Sequence, residues 1–103
     1  MDIMAHVVVY GFGSFFLNKA VSNDVDLLLV HEDISPDSCA LAILCKKYLT
    51  QRVDKAHITI LSKTEELDLG FVAKAQAHRI SIIEHEHLED GINEITQRLN
   101  MPL

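Results

Sequence analysis

Tryptophan is missing from this chain, and cysteine, proline and glycine are scarce, with two, two and four residues among 103. So few prolines and glycines exclude a disordered linker or a collagen-like segment. Two cysteines cannot build the multi-bridge framework of a small disulfide scaffold. Cys39 and Cys45 also fall in one predicted helix, where six residues rise about 9 Å, too far for a bridge. Both are read as reduced, packed thiols. Basic residues are few as well: nine Lys and Arg stand against fifteen Asp and Glu, a net charge of −6. Binding to DNA or RNA backbones rests on clustered positive charge, and the one basic pair here is Lys46-Lys47, so direct nucleic-acid binding is disfavoured. No apolar run approaches the roughly 20 residues of a membrane span, which disfavours a membrane partner. The opening MDIMAH has neither the basic start nor the cleavage region of a signal peptide, which reads as a cytoplasmic protein.

What is present is apolar material for one core. Hydrophobic residues make up 49% of the chain, and 103 residues fit a single domain over 1–103. Ala5 to Tyr10 is a β-branched run ending in Gly11-Phe12-Gly13-Ser14, a strand entering a tight turn. Asp24 to His31 is a second strand, whose run Leu27 to Val30 is apolar on both faces, as in a strand covered on both sides. Ser35-Pro36-Asp37 opens a helix carrying Ala40, Leu41, Leu44, Tyr48 and Leu49 and ending near Arg52. His57 to Leu61 reads as a third strand, and Ser62-Lys63-Thr64-Glu65 as a capping box opening a helix through about Ala77, with Gly70 a weak point within it. Arg79 to Glu84 supplies a fourth strand. Leu88, Ile92, Ile95 and Leu99 mark an amphipathic helix from Leu88 to Leu99. The expected fold is α/β in the α+β sense, a mixed sheet of about four strands flanked by helices.

Between the first two strands lies the chemistry. Asp24 and Asp26 are two apart on a strand, so they project to one side with Cβ atoms roughly 6–7 Å apart. Two such carboxylates beside an apolar strand repel each other unless a cation or donors offset them. Mg2+, or Mn2+ in its place, is the natural counter-charge, because magnesium is held by one or two carboxylates plus substrate phosphates. Gly11 and Gly13 let backbone N–H groups approach a phosphate, and Ser14 adds a hydroxyl. Taken singly, the glycines read equally as a strand-to-helix turn capped by Ser14, and Asn23-Asp24 as a turn at a strand start.

Together, the segment YGFGSFFLNKAVSNDVDLLLV resembles the signature of the polymerase-β-type nucleotidyltransferase superfamily: hydrophobic-Gly-Ser, a spacer of about ten, then Asp-hydrophobic-Asp-hydrophobic. The length is similar to that of the minimal nucleotidyltransferases, many of which act as antitoxins of a helical HEPN toxin. The resemblance covers Tyr10 to Val30 and implies transfer of a nucleoside monophosphate from an NTP, ATP for instance, to a hydroxyl. It implies that Gly13 and Ser14 hold the triphosphate and that Asp24 and Asp26 act as catalytic metal ligands; Lys19, where relatives often have a basic residue, reads either as a phosphate contact or as a solvated lysine. Expected partners are the NTP, a helical HEPN-type protein and a second copy of the chain.

The chain also departs from that pattern. The strand that should carry a third carboxylate reads Lys55-Ala56-His57-Ile58-Thr59-Ile60-Leu61, with His57 and Thr59 where an acid would stand and Asp54 just before it. Phe15-Phe16 follow Gly-Ser in place of the usual arginine, and the first strand begins almost at Met1, without the helix that precedes it in many relatives. Two readings follow: an active nucleotidyltransferase, or a degenerate member that keeps the fold and works as a homo-oligomeric or partner-binding module. Glu84-His85-Glu86-His87 is read as a solvated junction rather than a metal cluster, and Phe15, Phe16 and Phe71 as either core or a sticky surface.

Overall fold

The computed structural model describes residues 5–13, 16 and 24–100. Ser14, Phe15 and Lys19, all singled out by the sequence, lie outside the described residues. Strands β1 (His6–Phe12), β2 (Val25–His31), β3 (Ala56–Ser62) and β4 (His78–Glu84) form one sheet in the order β3-β2-β1-β4. β1 is antiparallel to both neighbours, while β2 and β3 run parallel. A parallel pair needs a crossover, and helix α1 (Pro36–Arg52) supplies it. The expected mixed four-stranded α+β fold is the one observed.

Strand period two divides the sheet into two faces. Val7 and Val9 of β1 with Val25, Leu27 and Leu29 of β2 point to one face and are buried. Against them pack Leu41, Ala42, Cys45 and Leu49 of α1 and Ile92 and Ile95 of α4 (Leu88–Asn100). The second face carries Val8, Tyr10, Phe12, Asp26, Leu28 and Val30. Leu28 is fully buried there. Short helices α2 (Lys63–Leu69) and α3 (Phe71–Lys74) lie on this side, with the Phe71 ring edge-on to Phe12 at 5.1 Å between centroids. Helices thus flank both faces, though unequally.

The helix expected through Ala77 is two helices. Gly70 adopts φ 61°, ψ 34°, and its N–H bonds to the Glu66 carbonyl, which ends α2 before α3 begins. A glycine terminates a helix this way because the left-handed region costs it nothing. The capping box is present as expected: Glu65 N–H donates to Ser62 Oγ (3.1 Å), and Ser62 N–H to Glu65 Oε1 (2.8 Å).

The buried stripe of α1 also differs from the expected one. Ser38, Leu41, Ala42, Cys45 and Leu49 face inward, while Ala40 and Leu44 are exposed. Apolar residues surround this helix, so periodicity alone could not choose its inner face. A polar anchor chooses it: buried His31 Nδ1 meets Ser38 Oγ at 2.9 Å, and Asp33 N–H donates to the same oxygen at 3.1 Å. Arg52 at the far end donates to Asn93 Oδ1 (2.9 Å), pairs with Glu89 (3.3 Å) and lies over the Tyr48 ring, tying α1 to α4.

Candidate functional site

Gly13 ends β1 with φ +80°, a conformation L side chains rarely adopt. Its missing side chain matters twice, because a Cβ there would collide with Asp26 Oδ2. Asp26 is register-paired with Phe12, the residue just before Gly13. The sequence signature is therefore a packing relationship: the second aspartate lies against the glycine turn. Gly11 is held by a similar constraint, since a Cβ there would strike the Phe16 ring, and Phe16 N–H bonds to the Gly13 carbonyl at 3.2 Å. Phe16 packs on the core rather than forming a sticky surface.

Asp24 lies one residue before β2 and is exposed. Its position is set by the next residue, whose N–H donates to the Lys55 carbonyl at 3.0 Å. Lys55 itself sits at φ 60°, and this left-handed turn delivers the chain into β3. The parallel register then places His57 beside Asp26 and Thr59 beside Leu28. His57 Nε2 is 3.4 Å from Asp24 Oδ1. Asp24, Asp26, His57 and Thr59 thus share one face at one end of the sheet. Asp54 is exposed in the turn preceding Lys55. Neither the His57 pairing nor the Lys55 turn was readable without the register of two strands thirty residues apart.

Asp26 is half-buried and has no hydrogen-bond or ion-pair partner among the described residues. An unpaired, partly desolvated carboxylate is costly unless a donor or cation meets it. No group of three His, Cys, Asp or Glu among the described residues is arranged to hold a metal ion. That arrangement does not fit a closed structural zinc site. Two carboxylates are the donor type that magnesium takes, with substrate phosphates and water supplying the rest of its shell.

Comparison with family models, with curated proteins and with solved structures gives no match. The reading of the site rests on its own geometry. The other candidates recede on the same ground. Glu84 ends β4 and His85–His87 form a short exposed 3-10 turn, as expected of a solvated junction. Cys39 and Cys45 are both free thiols, and burial pushes Cys45 up to about 12. No helix among the described residues is long and apolar enough to cross a membrane.

Proposed function

We propose that the chain is a metal-dependent nucleotidyltransferase that moves a nucleoside monophosphate from an NTP to a hydroxyl, with pyrophosphate leaving. The observation that carries this reading is the Asp26 carboxylate packed on the Gly13 turn without a partner among the described residues, with Asp24 on the same side of the sheet. Asp24 and Asp26 would hold Mg2+, or Mn2+ in its place. When bound, the ion would neutralise the triphosphate and stabilise the attacking and leaving oxygens. Gly13 and Ser14 would hold the triphosphate, as the resemblance implies. We assign acceptor choice to a partner protein. A helical HEPN-type toxin, with the chain as its antitoxin in a cytoplasmic, homo-oligomeric complex, agrees with the acidic net charge of −6.

A second reading is favoured by one specific observation. His57 and Thr59 occupy the face of β3 where a third acid would complete the site, and His57 already meets Asp24. A degenerate protein that keeps the fold and acts through an interface accounts for that substitution. Thermal unfolding with ATP, GTP, CTP and UTP, each with and without Mg2+, separates the two. Saturating nucleotide at 100 times Kd should raise Tm by on the order of 10 °C. A magnesium-dependent rise that Asp26→Asn abolishes supports the transferase; no rise with any nucleotide supports the interaction module.

A further inference from the structure

A second polar constellation lies at the opposite end of the same sheet face. Val30 lies four positions beyond Asp26 on β2, about 13 Å along the strand. There the second face and α2 line a half-open cavity of about 160 Å³. Its apolar surface comes from Val8 and Val30 on the sheet and Leu67 on α2. Leu67 is 70% exposed, so this apolar wall is left to solvent.

Three further lining residues carry polar ends: Lys63 an ammonium, Tyr10 a hydroxyl and Glu66 a carboxylate. Neither Lys63 nor Tyr10 has a side-chain partner among the described residues. Glu66 accepts one long bond, 3.5 Å, from the Val72 N–H and keeps its other oxygen. Two more lining residues satisfy each other, His6 Nε2 with Glu32 Oε1 at 2.8 Å. The cavity therefore offers, among the described residues, one unpaired positive group and one nearly unpaired negative group around an apolar floor.

The charges narrow the ligand. A simple anion would meet Lys63 but also two glutamates. A simple cation would meet Glu66 but also Lys63. A metal ion is disfavoured because the lining imidazoles and carboxylates form no three-ligand group among the described residues. A zwitterion satisfies both ends, placing its carboxylate on Lys63 and Tyr10 and its ammonium on Glu66, with an aliphatic group on Val8, Val30 and Leu67. The size agrees. The volume is several times the ~10–15 Å³ that one water needs on the same measure, which leaves room for several non-hydrogen atoms.

We infer that this cavity binds a free aliphatic α-amino acid, at a site separate from the aspartate pair and independent of the nucleotidyltransferase reading. Calorimetry on the full chain with L-leucine tests it. 4-Methylpentanoate, which lacks the amine, and 3-methylbutylamine, which lacks the carboxylate, serve as controls. Saturable leucine binding is expected, weakened at least about tenfold for each truncated analogue, as the loss of a charge-assisted hydrogen bond implies. Lys63→Met should weaken leucine but not 3-methylbutylamine; Glu66→Gln should weaken leucine but not 4-methylpentanoate. Both positions tolerate substitution, since Lys63 is exposed and a glutamine still accepts from Val72. Absence of saturable binding by leucine, valine or methionine up to ~10 mM overturns the inference, as does leucine binding indifferent to both variants. Loss of leucine binding in Asp26→Asn, with Lys63→Met silent, overturns it by placing the ligand at the other end of the face.

Discussion

The Asp26 carboxylate occupies the space that a side chain on Gly13 would need. Two demands meet at Gly13, a left-handed backbone and room for Asp26, and they can be separated. Gly13→Ala should destabilise the fold by about 2 kcal/mol, from the backbone penalty of ~1–2 kcal/mol plus displacement of the carboxylate. In an Asp26→Ala background the displacement disappears, and the same glycine substitution should cost about 1 kcal/mol less. Urea unfolding of the four proteins measures the coupling. Strict additivity would mean that the carboxylate swings aside without cost.

His57 stands where the proposed chemistry calls for an acid. Its contact with Asp24 is between two exposed side chains, so His57→Ala should change stability by less than about 1 kcal/mol. His57→Asp is the informative variant. It puts a third carboxylate beside Asp26 in the parallel register, so magnesium-dependent nucleotide binding should strengthen by roughly tenfold or more. Titration of Mg-ATP against both proteins reads this directly. Equal or weaker affinity in His57→Asp would argue that β3 does not face the bound metal.

Much of the fold was legible because its signals are local. The capping box at Ser62 and Glu65, the Pro36 helix start and the continuous apolar run in β2 each fix an element from a few neighbouring residues. The inner face of α1 was not legible, because the choice is made by His31 at the end of β2 reaching Ser38. The site divides in the same way. Gly13 and the two aspartates stand out by spacing, whereas the His57 contact depends on a strand pairing formed only after α1 crosses over. The Lys63–Glu66 cavity has no sequence signature, since its residues come from two strands and a helix and each alone reads as surface.

The capping box makes an acid-sensitive contribution. Hydrogen bonds from the Ser62 N–H, and secondarily its hydroxyl, hold Glu65 below its ordinary value of 4.5. A carboxylate depressed in the folded state adds stability above its unfolded value, and that stability is lost as pH falls through the folded value. Wild type should therefore lose more stability than Glu65→Gln as pH falls below about 5. Ser62→Ala removes the cap itself and should cost about 1 kcal/mol at neutral pH. Tm measured every half unit from pH 7 to 3 checks both; parallel curves for wild type and Glu65→Gln would reject the account.

The two thiols should differ sharply in reactivity. The thiolate is the nucleophile, and burial raises Cys45 to about 12 while enclosing it between α1 and the sheet. Cys39 is only partly buried. At pH 8 the folded chain should release about one equivalent of chromophore from a thiol reagent, with the second appearing on denaturation. Prompt release of two would show that α1 opens on the timescale of the reaction.

Edge strand β4 is where the fold is most exposed to wrong pairing. Its sequence HRISIIE is apolar in the middle, and Ile82 is 44% exposed. Such an edge invites a strand from another molecule. Two features oppose this. The register shifts between Val9 and Tyr10, an irregularity that interrupts the ladder. Arg98 also reaches back from α4 and donates to the Ile80 carbonyl at 2.9 Å, occupying an acceptor that an incoming strand would use. Arg98 is half-exposed and its pairing with Glu94 is long, so replacing it should lower stability by no more than about 1 kcal/mol. Association should respond more strongly than stability. Sedimentation of Arg98→Ala at ~100 μM should show added dimer or larger species relative to wild type, because the carbonyl and the apolar edge are uncovered together. A double variant that also replaces Ile82 with Lys should return to the wild-type distribution, since a charge on the strand opposes edge pairing. Identical sedimentation of wild type and Arg98→Ala would show that the irregular register alone protects this edge.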